Sequence, residues 1–274
     1  METQLVVAMV SLLLVVGVVA GILAGLLGVG GGIVIVPALY HLFAFLGISP
    51  EVQMHLAVGT SLATIIPTSL RSVRAHAKRG AVDWPLMRSW APPILLGVLA
   101  GTLAAASMDN RGLAVVFASV ATLVALHMGF SKPHWVIASQ LPGGAVKPVL
   151  PGVIGAVSVM MGIGGGTLAV PTLTLFSYPI HRAVATAAGF GLIIAVPGTA
   201  GFILAGWNAA GLPAFSLGYV NLLAFAIVVP TTVLSVPLGV RLAHWLKPRP
   251  LRIAFALFLA LTALRMFIDL SAQT

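Results

Sequence analysis

"GLLGVGGGIVIVP", residues 25–37, returns in altered form as "MMGIGGGTLAVP" at residues 160–171. Gly28 to Pro37 aligns with Gly162 to Pro171 without a gap, sharing four glycines, a valine and the proline. Both runs interrupt apolar stretches. Glycine in a helix interior costs about 1 kcal/mol relative to alanine, so a cluster of three is where a helix stops and starts again. A proline five residues after the last glycine fits a restart near that point.

The stretches around them are those of a bilayer protein. Of 274 residues 59% are hydrophobic and 7% charged, against about 25% charged in soluble domains, and the mean hydropathy is +1.12. A helix needs about 20 apolar residues to cross ~30 Å of hydrocarbon. Helical segments are expected at 5–47 (broken), 54–71, 89–108, 112–130, 148–178 (broken), 182–206, 218–245 and 250–270. The runs are uniformly apolar and do not alternate, which argues against a β-barrel. "METQLVVAMVSLLL" lacks the basic start of a signal peptide and leads into too long an apolar run, so it is expected to stay in the fold. A net charge of +9 would suggest nucleic acid in a soluble chain, but here the cations lie in short loops between spans and set topology. With no cysteine there is no disulfide, iron–sulfur or thiol chemistry.

The repeat extends beyond the glycines. "HLAVGT" (His55 to Thr60) matches "HRAVAT" (His181 to Thr186), and "RGLAVVFA" (Arg111 to Ala118) matches "RPLRIAFA" (Arg249 to Ala256), in the same order. The reading is an all-α integral membrane protein of two homologous halves, 1–130 and 148–274, joined by a loop over 131–147. Each half holds a glycine-broken segment, re-entrant or hairpin, and then three transmembrane helices. Cationic loops face the cytoplasm. If each broken segment enters and leaves on one side, the halves are inverted and twelve of the fourteen cations lie inside, with Arg111 and Arg265 outside. If it crosses once, the split is eight to six. Inverted repeats are therefore expected.

No Asp, Glu, Lys or Arg falls in the middle of an expected span. Broken helices at membrane depth are tolerated only where protein or a watery cavity covers the irregular backbone, and in transporters of inverted repeats they mark the substrate site. Two helix N-termini together offer unpaired N–H groups and about one unit of positive charge, which suits a small anion. The candidate substrate-binding residues are Gly30, Gly31, Gly32, Thr60, Ser61, Gly164, Gly165, Gly166, Thr167 and Thr186. No cofactor, metal site or catalytic residue is expected: neither a nucleophile with its base nor a metal motif such as H-E-x-x-H occurs. Elsewhere, His55 and His181 read as interfacial caps, Arg265 with Asp269 as an i, i+4 pair, and Pro67, Pro92, Pro93, Pro197, Pro230 and Pro237 as kinks. A channel lined by the same helix ends is the alternative to a carrier.

The paired "GVGGGIVIVP" and "GIGGGTLAVP", each followed by an "AVGTS"-like element (Ala57 to Ser61, Ala183 to Ala187), resemble the sulfite exporter TauE/SafE family of membrane transporters. The second copy has Ala185 and Ala187 where the first has Gly59 and Ser61. The resemblance implies a secondary transporter in the cell (cytoplasmic) membrane that moves sulfite, sulfoacetate or a related organosulfonate by alternating access. The partners expected are the small anionic substrate and the lipid bilayer, without nucleic acid; homodimerisation, transport direction and coupling ion stay open.

Overall fold

The protein is described by a computed structural model covering residues 2–28, 30–130, 137–141, 143–144, 146–245 and 248–272. Much of the expected junction, Ser131 to Pro148, and Lys247 lie outside the described residues. The elements are helices α1 (Glu2–Leu27), α2 (Gly32–Phe45), α3 (Gln53–Ala77), α4 (Trp84–Ser107), α5 (Asn110–Phe130), α6 (Val146–Met160), α7 (Gly166–Leu175) and α8 (Ile180–Ala205). A hairpin of β1 (Ser216–Leu217) and β2 (Val220–Asn221) precedes α9 (Leu222–Trp245) and α10 (Pro248–Ala272). The helices run in the expected order, and among the described residues five are long and apolar enough to span a bilayer.

Several boundaries differ from expectation for identifiable reasons. Helix α3 continues six residues past Arg71, because Arg74 and His76 in its last turn suit the negative end of the helix dipole. Helix α4 starts at Trp84, not 89: the Asp83 carboxylate accepts the Leu86 N–H and Pro85 occupies the first turn. Residues 216–221, of which 218–221 fell within an expected helix, form the hairpin because Gly218 takes a left-handed conformation (φ 52°). The restarts begin at the last glycine of each run, so Pro37 and Pro171 are sixth in α2 and α7. Each proline leaves the carbonyl four residues earlier, at Ile33 and Thr167, without its helical donor.

Packing interlocks the two halves. Gly17, Gly21 and Gly25 line one face of α1, where added Cβ atoms would come within 2.1 Å of Thr231 Oγ1 and 2.2 Å of the Thr232 and Val236 carbonyl oxygens of α9. Gly97 and Gly101 of α4 approach Gly152 and Ala156 of α6 in the same way, at 1.9 and 2.4 Å from their carbonyl oxygens. Partner numbers rise together in both pairs, so each pair runs parallel. Without side chains between them the backbones come close enough for extensive dispersion contact, the main attraction between helices when lipid is as apolar as leucine. At the centre, α3 packs on α8 with Gly59 near Phe202, Leu62 near Gly198, Ser69 near Gly191 and Val73 near Gly189. Those numbers run in opposite senses, so α3 and α8 are antiparallel.

Lengthening a glycine in the α1–α9 seam therefore drives a side chain into backbone. Gly21→Leu is expected to destabilise the protein by about 1–3 kcal/mol or more, as overpacking does. Gly143→Ala, which meets nothing within 4 Å, should be neutral. Thermal unfolding of the two variants in detergent makes the comparison, and equal midpoints would contradict the seam.

Candidate functional site

Each glycine run forms a tight turn between two helices. Gly28, Gly30, Gly31 and Gly162 have φ of 67°, 73°, 79° and 64°, a left-handed conformation that other residues resist. The α2 ladder opens with the Val34 and Ile35 N–H groups donating to the Gly31 carbonyl at 3.1 and 3.2 Å. In α7 the Ala169 N–H donates to the Gly165 carbonyl at 2.8 Å. The N–H groups of Gly32 and Ile33, and of Gly166 to Leu168, precede those bonds and form the positive ends of the two short helices. At about 21 Å and 15 Å, α2 and α7 are too short to cross alone.

The two turns touch. A Cβ on Gly30 would lie 3.4 Å from Gly164 Cα, and one on Gly32 would lie 2.3 Å from the Gly162 carbonyl oxygen and 2.9 Å from Ser61 Oγ. Ser61 donates to that carbonyl at 2.7 Å. Gly30 abuts Ile65, the centre of α3, and Gly164 faces Gly191 next to the centre of α8. The crossing thus lies halfway along the two central helices. It is closed: Gly30 to Gly32 and Gly162 to Gly166 are all buried. The buried polar residues described include no Asp, Glu, Lys or Arg.

Of the sequence candidates, the crossing gathers Gly30, Gly31, Gly32, Ser61, Gly164, Gly165, Gly166 and Thr167. Thr167, buried at 3% exposure, opens α7, and its hydroxyl has no hydrogen-bond partner. Thr60 and Thr186 are engaged elsewhere. Thr60 Oγ1 accepts the Asn221 N–H at 2.8 Å, and Thr186 Oγ1 accepts the Asp83 N–H at 3.0 Å. These bonds are repeat equivalents: Asn221 caps α9 and Asp83 caps α4, accepting from Ala224 and Leu86, and each is held by a threonine of the other half. The antiparallel pairing sets Thr60 and Thr186 about 20 Å apart along the helix axes. Sequence reasoning missed Ser69. It is fully buried with an unpartnered hydroxyl, 2.6 Å from where a Gly191 Cβ would stand, and the Gly164 Cα lies 3.7 Å from that same point. The preceding residue, Thr68, has its Oγ1 3.4 Å from the Gly30 carbonyl oxygen and bonds back to the Thr64 and Ile65 carbonyls of its own helix.

Other polar groups brace the frame. His55 is buried, not interfacial: its Nε2 pairs with the Ala105 carbonyl of α4 at 3.0 Å, and the ring packs on Tyr219 and Phe202. Asp269 faces His41 Nδ1 at 3.5 Å instead of Arg265, because α2 brings the imidazole alongside α10. Asp83 binds the Tyr178 hydroxyl and, at 3.2 Å, Arg182, joining the α3–α4 connection to the α7–α8 connection. Burial opposes ionisation of Asp83, but the Tyr178, Leu86 and Arg182 contacts prevail and hold its carboxyl below the ordinary range. Burial, with Asp83 next, pushes Tyr178 up to about 12.

The sign of the pH response follows. A neutral Tyr178 stabilises the junction fully below its unfolded value of about 10, and that contribution is lost as pH rises toward 12. The charged Asp83 contributes above the usual carboxylate range and ceases to do so in acid. Phenolate absorbance of wild type minus Tyr178→Phe should show one tyrosine titrating near 12, falling toward about 10 in Asp83→Asn. A Tyr178 that titrates at 10 in the wild type would contradict the contact.

Comparison with known proteins agrees with this architecture. A family model described as sulfite exporter TauE/SafE matches residues 13–266. A probable membrane transporter protein of Haemophilus influenzae is 36% identical over 261 residues, 94% of this chain and 98% of its own. One from Methanocaldococcus jannaschii is 30% identical over 269 residues, 95% and 96% of the two chains, and one from Bacillus subtilis 29% over 214 residues, 71% and 78%. No solved structure matches. With nearly the whole chain matched, and relatives named as transporters and not as enzymes, this multi-pass membrane protein belongs to the sulfite exporter TauE/SafE family.

Proposed function

We propose that the protein is a secondary transporter that moves a small sulfur-containing anion, such as sulfite, sulfoacetate or a related organosulfonate, by alternating access. The observation that carries this reading is the contact between two glycine turns, each opening a short helix, at the centre of a charge-free core. Each helix N-terminus contributes about half a positive charge without an ionised side chain. An anion between Gly30–Gly32 and Gly164–Gly166 would accept backbone N–H bonds, with the unpartnered Ser69 and Thr167 as hydroxyl donors, while Ser61 stays committed to the Gly162 carbonyl. "Sulfur" comes from the family description; the preference for an anion comes from the helix ends and the missing carboxylates.

The two halves, 1–130 and 148–274, are inverted in this reading. Repeat-equivalent helices α3 and α8 pack antiparallel, as a twofold axis in the membrane plane requires. The parallel pairs α1–α9 and α4–α6 exchange places under the same operation. Each central helix then rocks against the other half about the glycine crossing, exposing the site to alternate faces.

Flux into proteoliposomes tests the mechanism. Ser69→Ala removes a buried hydroxyl that has no protein partner, so folding should hold while the half-saturating concentration of the transported sulfonate rises about tenfold, within the ~1–3 kcal/mol of a lost buried hydrogen bond. Gly165→Ala, whose Cβ would meet Phe190 Cβ at 2.7 Å, should abolish saturable counterflow, and Arg265→Gln should not. Wild-type flux in both site variants would place the anion elsewhere, and non-saturable flux would indicate a channel. Topology has its own check. Single cysteines near Lys78 and Gly211 should label from opposite faces, with Lys78 on the cytoplasmic side; labelling from one face would exclude inversion.

A further inference from the structure

A cavity of about 400 Å³ opens between the C-terminal parts of α3 and α9, lined by Arg71, Arg74, Lys78, Arg79 and Arg241 over a floor that includes Pro237 and Val240. Five formal positive charges surround it, and no acidic residue does. The chain has only five Asp and Glu in all. Asp83, on the connection after α3, is engaged by Tyr178 and Arg182, and Asp269 faces His41. The general excess of cations in cytoplasmic loops accounts for basic residues on this side. It does not account for five from two different halves converging on one cavity, where like charges repel and no protein carboxylate offsets them. Arg79 is also fixed in place, its Nη1 donating to the Val240 carbonyl at 3.3 Å. Arg74 stands nine residues, about 14 Å, along α3 from Ile65, so the cavity is separate from the glycine crossing.

We propose that this cavity is a second anion site, taking an oxyanion of the phosphate or sulfate class. Forked guanidinium groups match the planar pairs of oxygens such an anion presents. The same chemistry is offered by a free ion and by an anionic lipid headgroup at the membrane surface. Occupancy would supply the counter-charge that the sequence lacks, and it would brace the α3 and α9 ends of opposite halves against each other. The proposal rests on this cavity alone and stands whether or not the glycine crossing carries substrate.

The test uses full-length protein, delipidated in neutral detergent, with its thermal midpoint followed at constant ionic strength. In one arm phosphate replaces chloride; in the other, short-chain phosphatidylglycerol is titrated against phosphatidylcholine. A saturable rise is expected in at least one arm, and the arm that responds identifies the source. Arg74→Gln with Arg241→Gln should raise the concentration needed at least tenfold, whereas Arg111→Gln, on an exposed residue outside the cavity, should leave it unchanged. Without ligand the paired Gln variant should unfold no earlier than wild type, because repulsion has been relieved. If that variant does not fold, Arg74→Lys with Arg241→Lys, which keeps the charge but loses the fork, should show a severalfold loss. Absence of a saturable response in both arms, or a wild-type response in the folded paired variant, overturns the proposal.

Discussion

A peptide bond inside hydrocarbon has no water to bond, so a helix broken at membrane depth is stable only where protein covers the break. That constraint organises the molecule. Both breaks fall at runs of glycine, and each turn is covered by the other: Gly30 against Gly164, Gly32 against the Gly162 carbonyl. Ser61 satisfies that carbonyl. The two turns thus bury part of each other, and the halves interlock. The glycine seams α1–α9 and α4–α6 do this by packing the first helix of each half on the fourth helix of the other.

Polar bonds at the periphery tie the same segments together. Thr60 holds the cap of α9 and Thr186 holds the cap of α4, so α9 is registered against α3 and α4 against α8 of the opposite half. Each of α3 and α8 is thus anchored in its N-terminal part, at opposite ends of the antiparallel pair, while their centres flank the crossing. The halves differ where charge is concerned. The cavity beside α3 gathers five cations, whereas residues 206–221, the corresponding connection of the second half, carry none.

Much of this was legible in the sequence because it depends on periodic or repeated features. The apolar runs located the helices, and the aligned glycine motifs located the crossing. Asp83 followed by Trp84 and Pro85 was a readable cap signal, and weighing it would have placed the start of α4 correctly. Other features depend on partners distant in sequence. Nothing in "AVGTS" distinguishes a threonine facing a ligand from one accepting a backbone N–H 161 residues away. Ser69 lies in an ordinary helical stretch, and only the packing of α8 against it reveals a buried hydroxyl with no partner. Likewise the Arg265–Asp269 spacing suggests a pair until α2 brings His41 alongside.

The central claim is that an anion sits where the two helix N-termini meet. The most direct measurement is an experimental structure of the full-length protein with a bromoalkylsulfonate, locating bromine by anomalous scattering. The account predicts a bromine position beside Gly30–Gly32 and Gly164–Gly166, with sulfonate oxygens within hydrogen-bond distance of their N–H groups. A ligand that the same protein transports, found bound only away from the glycine crossing, would contradict it.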